Sequence, residues 1–390
     1  MIKLKKVLSD FNFDNKRVIL RCDLNVPITN GIIEDDTRII ESLKTIKYLI
    51  DKNAKVIILS HLGRVKTEED KKDNSLYPVY LRLRDLLGDN VCFSKYTSGN
   101  KLKELVNTLR TGEILLVENT RFEDIDGKKE SSCDLELSKY WASLGDIFVN
   151  DAYGVCHRSH ASNVGISKFL PSCLGLLVEE EIEKIDGIIK ENTSPYILLM
   201  GGKKISDKTL VIESLIEKCD YILLGGGMCF TFLASLGINV GMSIVDKDNI
   251  PFCKEILSKY KDKIILPVDV KLKSEEIKDI DKLTNEDIAY DIGPKTIELF
   301  KKYLSTAHRV VANGPMGVFE EKEFTNGTRE LYNYLSQNSI KTLIGGGDSI
   351  SAINTLHINK NFYHISTGGG ATLEYIAQGT LPAIEAIEDK

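Results

Sequence analysis

Thr342-Leu343-Ile344-Gly345-Gly346-Gly347-Asp348-Ser349-Ile350-Ser351-Ala352-Ile353 is the stretch on which the fold turns. Three strand-forming residues run into three glycines, after which Ile350, Ile353 and Leu356 recur at helical spacing. The same pattern returns around it. Tyr196–Met200 leads into Gly201-Gly202-Lys203-Lys204, and Tyr221–Leu224 into Gly225-Gly226-Gly227 and a helical pattern that stops at Gly237. Strand 309–312 leads into Asn313-Gly314-Pro315-Met316-Gly317, and strand 362–365 precedes Gly368-Gly369-Gly370 and a helical pattern over 371–378. Strands alternating with helices predict α/β layers around parallel sheets. One Gly-Gly pair is usually a tight turn. Four strand–glycine–helix units in one half of a chain point to backbone N–H groups and helix N-termini arranged for phosphate.

Working outward, the first half has the same alternation but different strand ends. Strand 17–20 leads into Arg21-Cys22-Asp23-Leu24-Asn25-Val26-Pro27, and Lys55–Leu59 into Ser60-His61-Leu62-Gly63-Arg64. Ile114–Val117 leads into Glu118-Asn119-Thr120-Arg121-Phe122, and strand 147–149 into Asn150-Asp151-Ala152-Tyr153-Gly154-Val155-Cys156-His157-Arg158. In open parallel sheets ligands sit at the carboxyl ends of strands. Any one of these charges alone reads as a solvated loop. Four successive strand ends carrying Arg, His or Asn are better explained by convergence on a small, multiply charged anion. Arg38 follows the cap-like Asp35-Asp36-Thr37, where a cation opposes the helix dipole. It reads equally as an exposed arginine or as one aimed at an anion. Ile39, Leu43, Ile46 and Ile50 define the buried face of that helix. Between the halves, residues 178–190 place Val178, Ile182, Ile185 and Ile189 on one helical face and stop at Thr193-Ser194-Pro195. They read as a connecting helix, and 67–74 as a charged loop.

Composition bounds the function. A chain of 390 residues that is 42% hydrophobic can bury two cores. Its net charge of −6 leaves no broad basic surface for nucleic acid, so cations for an anionic ligand must be gathered locally. Apolar runs are strand-length, far short of the ~20 residues that span a bilayer. The N-terminus lacks the apolar run of a signal peptide. Eight cysteines without a Cys-x-x-Cys pair suit reduced thiols in the cytoplasm. His157 and His160 flank Cys156 without a second ligand cluster, so structural roles are expected of them. Neither G-x-x-x-x-G-K-[ST] nor a complete G-x-G-x-x-G occurs: Phe230 and Leu373 stand where the third glycine belongs.

The series 21–27, 35–39, 60–64, 118–122, 150–162, 201–208, 313–320, 345–349 and 366–371 resembles, in order and over nearly the whole chain, the phosphoglycerate kinase family. Asn313-Gly314-Pro315-Met316-Gly317-Val318-Phe319-Glu320 is its most specific block. The resemblance implies two Rossmann-like lobes, each a parallel sheet flanked by helices, joined by a connecting helix with a hinge. It implies a phosphoglycerate-binding domain over 1–171 with 379–390 returning to it, a connector over 172–190, and a nucleotide-binding domain over 191–378. It implies reversible transfer between 1,3-bisphosphoglycerate and ADP, giving 3-phosphoglycerate and ATP with Mg²⁺, by a cytoplasmic monomer that takes neither nucleic acid nor membrane as partner. By that likeness Asp23, Asn25, Arg38, His61, Arg64, Arg121 and Arg158 hold the glycerate substrate. Lys208, Asn313, Glu320, Gly346, Gly347, Asp348 and Ser349 hold the nucleotide, with Asp348 near the metal. Arg38 and Lys204 face the moving phosphoryl group, and Gly368, Gly369 and Gly370 offer it backbone contacts.

The chain departs from the family's usual pattern at four places: Ala312 stands for Trp, Lys203 for a small residue, Val65 for Pro, and Ala289-Tyr290-Asp291 is an uncommon version. These bear on the shape of the nucleotide pocket more than on the reaction. Because strand side chains alternate, Ala312 is expected to point away from the ligand into the packing. Competing readings are a kinase for another small phosphorylated acid, which a substrate panel separates, and a silent nucleotide-binding protein, disfavoured by the presence of Arg38, Lys204 and Asp348. An NAD dehydrogenase is disfavoured by the incomplete fingerprint.

Overall fold

The computed structural model describes residues 4–390. The chain divides into two compact units: one runs to Ile182 and takes in Thr380–Lys390, the other is Glu183–Gly379.

The first unit is built on a six-stranded sheet in the spatial order Val91–Ser94, Ile114–Val117, Lys55–Leu59, Arg17–Cys22, Ile147–Asp151, Ser172–Leu174. Every pairing is parallel. Parallel strands are covered on both faces, which is why Val18-Ile19-Leu20 and Val56-Ile57-Ile58-Leu59 are continuous apolar runs, all fully buried. The chain first adds strands on one side of Arg17–Cys22 and then crosses to place Ile147–Asp151 on the other. The switch point therefore lies between Cys22 and Asp151, partners in register. The C-terminal segment packs on this unit: Lys6 N–H donates to Glu388 O at 2.9 Å and Asn150 Nδ2 to Ala383 O at 3.3 Å.

The second unit has the order Ile264–Ile265, Tyr221–Leu224, Tyr196–Met200, Arg309–Asn313, Lys341–Gly345, His364–Ile365, again all parallel. Numbered along the chain this is 3-2-1-4-5-6, the doubly wound order, with its switch point between Met200 and Asn313, partners in register. A small antiparallel sheet, Ile277–Asp279 with Asp269–Leu272 and Ala289–Ile292, is added to this unit.

The structure refines several expectations. The connecting helix is Leu176–Ile189 and begins two residues early, because Thr45 Oγ1 and Asp151 Oδ1 accept the Leu176 and Leu177 N–H groups, each at 2.9 Å. Its buried positions include Val178, Glu181, Ile185 and Ile188, so Ile182 and Ile189 are only half-buried. In helix Thr37–Asp51, Leu49 rather than Ile50 completes the buried face. Asp36 does not cap it: the carboxylate turns to Arg82, while Asp35 accepts the Thr37 N–H at 2.8 Å. The 67–74 loop contains a helical turn, Asp70–Asp73, whose first carboxylate accepts the Lys66 and Thr67 N–H groups. Among the described residues no helix is long and apolar enough to cross a membrane.

Candidate functional site

In the first unit the strand ends converge. Arg38, one residue into its helix, does not wave in solvent: Nη1 donates to both oxygens of Asp23, at 3.0 and 3.1 Å, and to the Asn25 carbonyl at 3.1 Å. The unfavourable dipole position is thus offset by an ion pair to the strand end across from it. Asn25 Oδ1 accepts the Gly63 N–H at 2.8 Å, which ties the His61–Arg64 segment to the first strand end. His61 is buried 4.0 Å from Asp23 Oδ1. Burial, together with Arg21, Arg121, His160 and Arg38 nearby, pushes its pKa well below the ordinary imidazole value.

Arg121 follows Asn119, whose side chain accepts the Arg121 N–H at 3.0 Å and fixes the turn. Its side chain is 13% exposed, Nη1 lies 3.6 Å from Asp124, and Nε is buried with no hydrogen-bond partner among the described residues. Burial, the largest cause, and the like charges of Arg158 and Arg21 lower its pKa against the pull of Asp124 and Glu130. A buried guanidinium N–H without an acceptor is costly, and an anion satisfies it. Arg158 and Arg64 are exposed beside these segments. Asp23, Asn25, Arg38, His61, Arg121 and Arg158 therefore share one cationic end of the sheet. Beneath it lie four groups that the sequence reading did not single out as ligands: Arg21, Glu130, His160 and Ser162. Their signal was absent because a buried polar network joins residues far apart in the chain.

In the second unit, glycine lets two strand-end turns meet. At Gly314, whose φ is +88°, any Cβ would collide with the Gly201 carbonyl. At Gly346, φ +91°, a Cβ would come within 2.6 Å of Asn313 Nδ2, itself a buried donor with no partner among the described residues. Helix Gly347–Thr355 starts there, with Asp348 exposed in its first turn. Ser349 faces inward: its hydroxyl accepts the Gly314 N–H and donates to Gly345 O, both at 2.7 Å, bracing the two turns. Lys208 is buried beside Gly202. Burial lowers its pKa, while Asp207 and Asp348 pull the other way.

These turns open on a cavity of about 680 Å³. Gly202, Lys203, Asp348 and Glu320 line its polar side, and Phe230, Tyr290 and Phe319 are among its apolar walls. Lys204 is exposed next to Lys203 but does not line it, nor do Gly368 and Gly369, which precede helix Gly370–Gln378, or Gly370, which begins it. Two of the four sequence departures, Lys203 and Ala289-Tyr290-Asp291, are in the wall. Ala312 is not: it is fully buried in the apolar core with Leu199, Ile344 and Tyr332. Among the described residues no group of three or more His, Cys, Asp or Glu side chains is placed to hold a metal. Asp348 is nevertheless suited to Mg²⁺, which is commonly held by one or two carboxylates together with substrate phosphates.

An α/β protein with cations at one set of strand ends and glycine-opened helices at another has the form of a phosphotransferase. Comparison with known proteins gives the family. A family model described as phosphoglycerate kinase matches residues 8–379. The phosphoglycerate kinase of Macrococcus caseolyticus is 49% identical over 99% of this chain and 100% of its own length. That of Fusobacterium nucleatum is 48% identical over the same shares. The solved phosphoglycerate kinase structure from Coxiella burnetii superposes with a TM-score of 0.87 at 34% identity, covering 98% of both chains. The chain belongs to the phosphoglycerate kinase family, phosphotransferases that move a phosphoryl group reversibly between 1,3-bisphosphoglycerate and ADP.

Proposed function

We propose that this chain performs that transfer with its two units each holding one partner. Asp23, Asn25, Arg38, His61, Arg64, Arg121 and Arg158 hold the glycerate substrate. Lys208, Asn313, Glu320, Gly346, Gly347, Asp348 and Ser349 form the nucleotide site. Ser349 acts there by bracing the turns, and Asp348 is the side chain that would meet Mg²⁺. The observation that carries the reading is Arg121: a mostly buried guanidinium whose Nε lacks an acceptor among the described residues, at a strand end where Arg158 and Arg21 lie nearby. Such a site has an unmet demand for a small polyanion.

Phosphoryl transfer asks for positioning and charge neutralisation rather than a covalent nucleophile. A terminal oxygen of the ADP β-phosphate attacks phosphorus as the bond to the C1 carboxylate oxygen breaks, in line, and the carboxylate leaves as 3-phosphoglycerate. Arg38 from the first unit and Lys204 from the second neutralise the transferring group, and the turn Gly368-Gly369-Gly370 offers it N–H donors. When bound, Mg²⁺ supplies further neutralisation of the nucleotide phosphates. Since the two partners sit on different units, the units must close for transfer, and closure excludes water. We place the enzyme in the cytoplasm as a monomer with no nucleic-acid or membrane partner, in keeping with a net charge of −6 and eight free thiols. The test is formation of ATP from MgADP and 1,3-bisphosphoglycerate in a coupled assay, run beside other acyl phosphates. Turnover confined to a different acyl phosphate would overturn the substrate assignment.

A further inference from the structure

Beneath the cationic strand ends lies a guanidinium that reaches no solvent. Arg21 is fully buried next to the end of strand Arg17–Cys22. A buried charge is tolerated only when paired and hydrogen-bonded. Arg21 meets that demand on every side. Nε donates to Ser162 Oγ at 2.7 Å, Nη1 donates to the Cys22 carbonyl, and Nη2 lies 3.3 Å from His61 Nδ1. The counter-charge is Glu130, also fully buried, which accepts the Ser162 Oγ–H at 2.5 Å and the Ser162 N–H at 2.9 Å. One hydroxyl thus accepts from the buried cation and donates to the buried anion.

A guanidinium has donors and no acceptor. The His61 nitrogen facing it must therefore accept, so Nδ1 presents a lone pair and the neutral ring carries its proton on Nε2. Protonating Nδ1 as well would set N–H against N–H. The charges around the ring act in the same sense. Arg21, Arg38, Arg121 and His160 all oppose a positive imidazole. The facing carboxylate, Asp23, is already taken by Arg38.

We propose that Arg21, held by Ser162 and Glu130, is a positioning residue that fixes His61 as a neutral, Nε2-protonated hydrogen-bond donor to the anionic substrate. This rests on the reading of the first unit's strand ends as the glycerate site. An ordinary histidine in an anion site attracts through its charge and loses that attraction as pH rises through about 6.5. His61 instead binds through a hydrogen bond that does not depend on a positive charge and persists as pH rises through the ordinary imidazole range.

The test is nitrogen–proton correlation spectroscopy of the full chain labelled with ¹⁵N at its six histidines, with His61 assigned from the spectrum of His61→Gln. The wild type should show a neutral His61 protonated at Nε2, with no titration from pH 5 to 8, and 3-phosphoglycerate should shift that Nε2 resonance. In the double variant Arg21→Met/Glu130→Gln, which leaves neither charge buried alone, the other tautomer should appear. KM for 3-phosphoglycerate should then rise about tenfold, with KM for ATP unchanged. Ser162→Ala keeps both charges and cuts only the relay, so it should move the same two readouts less far, and it serves if the double variant does not fold. A wild-type ring protonated at Nδ1, or one that titrates between pH 5 and 8, overturns the proposal, as does an unchanged His61 spectrum in the folded variants. If 3-phosphoglycerate shifts a ring protonated at Nδ1, the substrate site stands and the proposal alone falls. If the Nε2 resonance does not respond to 3-phosphoglycerate at all, the proposal falls together with the reading of the site.

Discussion

Lys204 is an exposed cation directly after the strand and glycine turn of Tyr196–Met200 and Gly201-Gly202. It carries no packing, so its loss should leave the fold intact. If it neutralises charge that develops during transfer, Lys204→Ala should lower kcat by a factor on the order of 10²–10³. Single-turnover kinetics on the folded variant checks this, and near-normal kcat would remove Lys204 from the mechanism. Lys204 stands out in the sequence only through the family resemblance, since one exposed charge after a strand and a turn reads on its own as a solvated loop. Arg38 was legible only as an even choice, and the ion pair to Asp23 resolves it toward the strand ends. Glu130 and Ser162 were not legible at all. Nothing in Lys129-Glu130-Ser131 or Ala161-Ser162-Asn163 marks them as buried partners of Arg21, since the contact exists only once separate loops are folded over the same strand end. The wall residue Tyr290 was visible only as a departure. Its ring stands edge-on to Phe324, 5.0 Å between centroids, a packing fact with no sequence signature.

At the scale of elements, Ala312 and Asp151 allow separate tests. Ala312 sits opposite Leu199 and Ile344 in register, on the face that packs against Phe300 and Tyr332. Ala312 is fully buried among larger apolar side chains. Ala312→Trp should therefore overpack the core and destabilise by ~1–3 kcal/mol. KM for ATP should stay within roughly threefold, as the side chain points away from the cavity. Urea denaturation and steady-state kinetics read the two effects, and a tenfold KM change without destabilisation would place residue 312 in the pocket. Asp151 ends its strand and accepts the Leu177 N–H of the connecting helix, while its other oxygen is buried without a partner among the described residues. Burial pushes its pKa up to about 7. Between the ordinary value near 4 and 7 the folded state therefore holds a proton that the unfolded chain has lost. The stability this contributes is full below about pH 4 and is lost as pH rises through 7. Asp151→Asn removes the titration, so the variant should gain on the wild type by on the order of 1–3 kcal/mol between pH 5 and 8. Parallel urea titrations at the two pH values measure it; a constant difference would mean that Asp151 is already ionised. Long apolar strands were legible because both their faces are buried. Val91–Ser94, an edge strand with exposed Cys92, and the three-residue Ser172–Leu174 were not, since neither is long or apolar enough to stand out from a loop.

For the whole molecule, the contrast between the strand ends was legible because both sheets are six-stranded and parallel but carry different residues after their strands: cations in one, glycines in the other. If each unit holds one partner, as proposed, both partners together should compact the enzyme more than either alone. Small-angle scattering should find the smallest radius of gyration with 3-phosphoglycerate and MgATP analogue both bound, and an unchanged radius under confirmed binding would count against closure. The most direct test of the account is titration calorimetry of Arg121→Ala with each partner separately. Loss of one charge-assisted contact should weaken 3-phosphoglycerate binding by ~1.5–3 kcal/mol. ADP affinity should remain within about twofold, a change below ~0.4 kcal/mol. A variant that keeps its affinity for 3-phosphoglycerate while losing it for ADP would contradict the assignment of the two units.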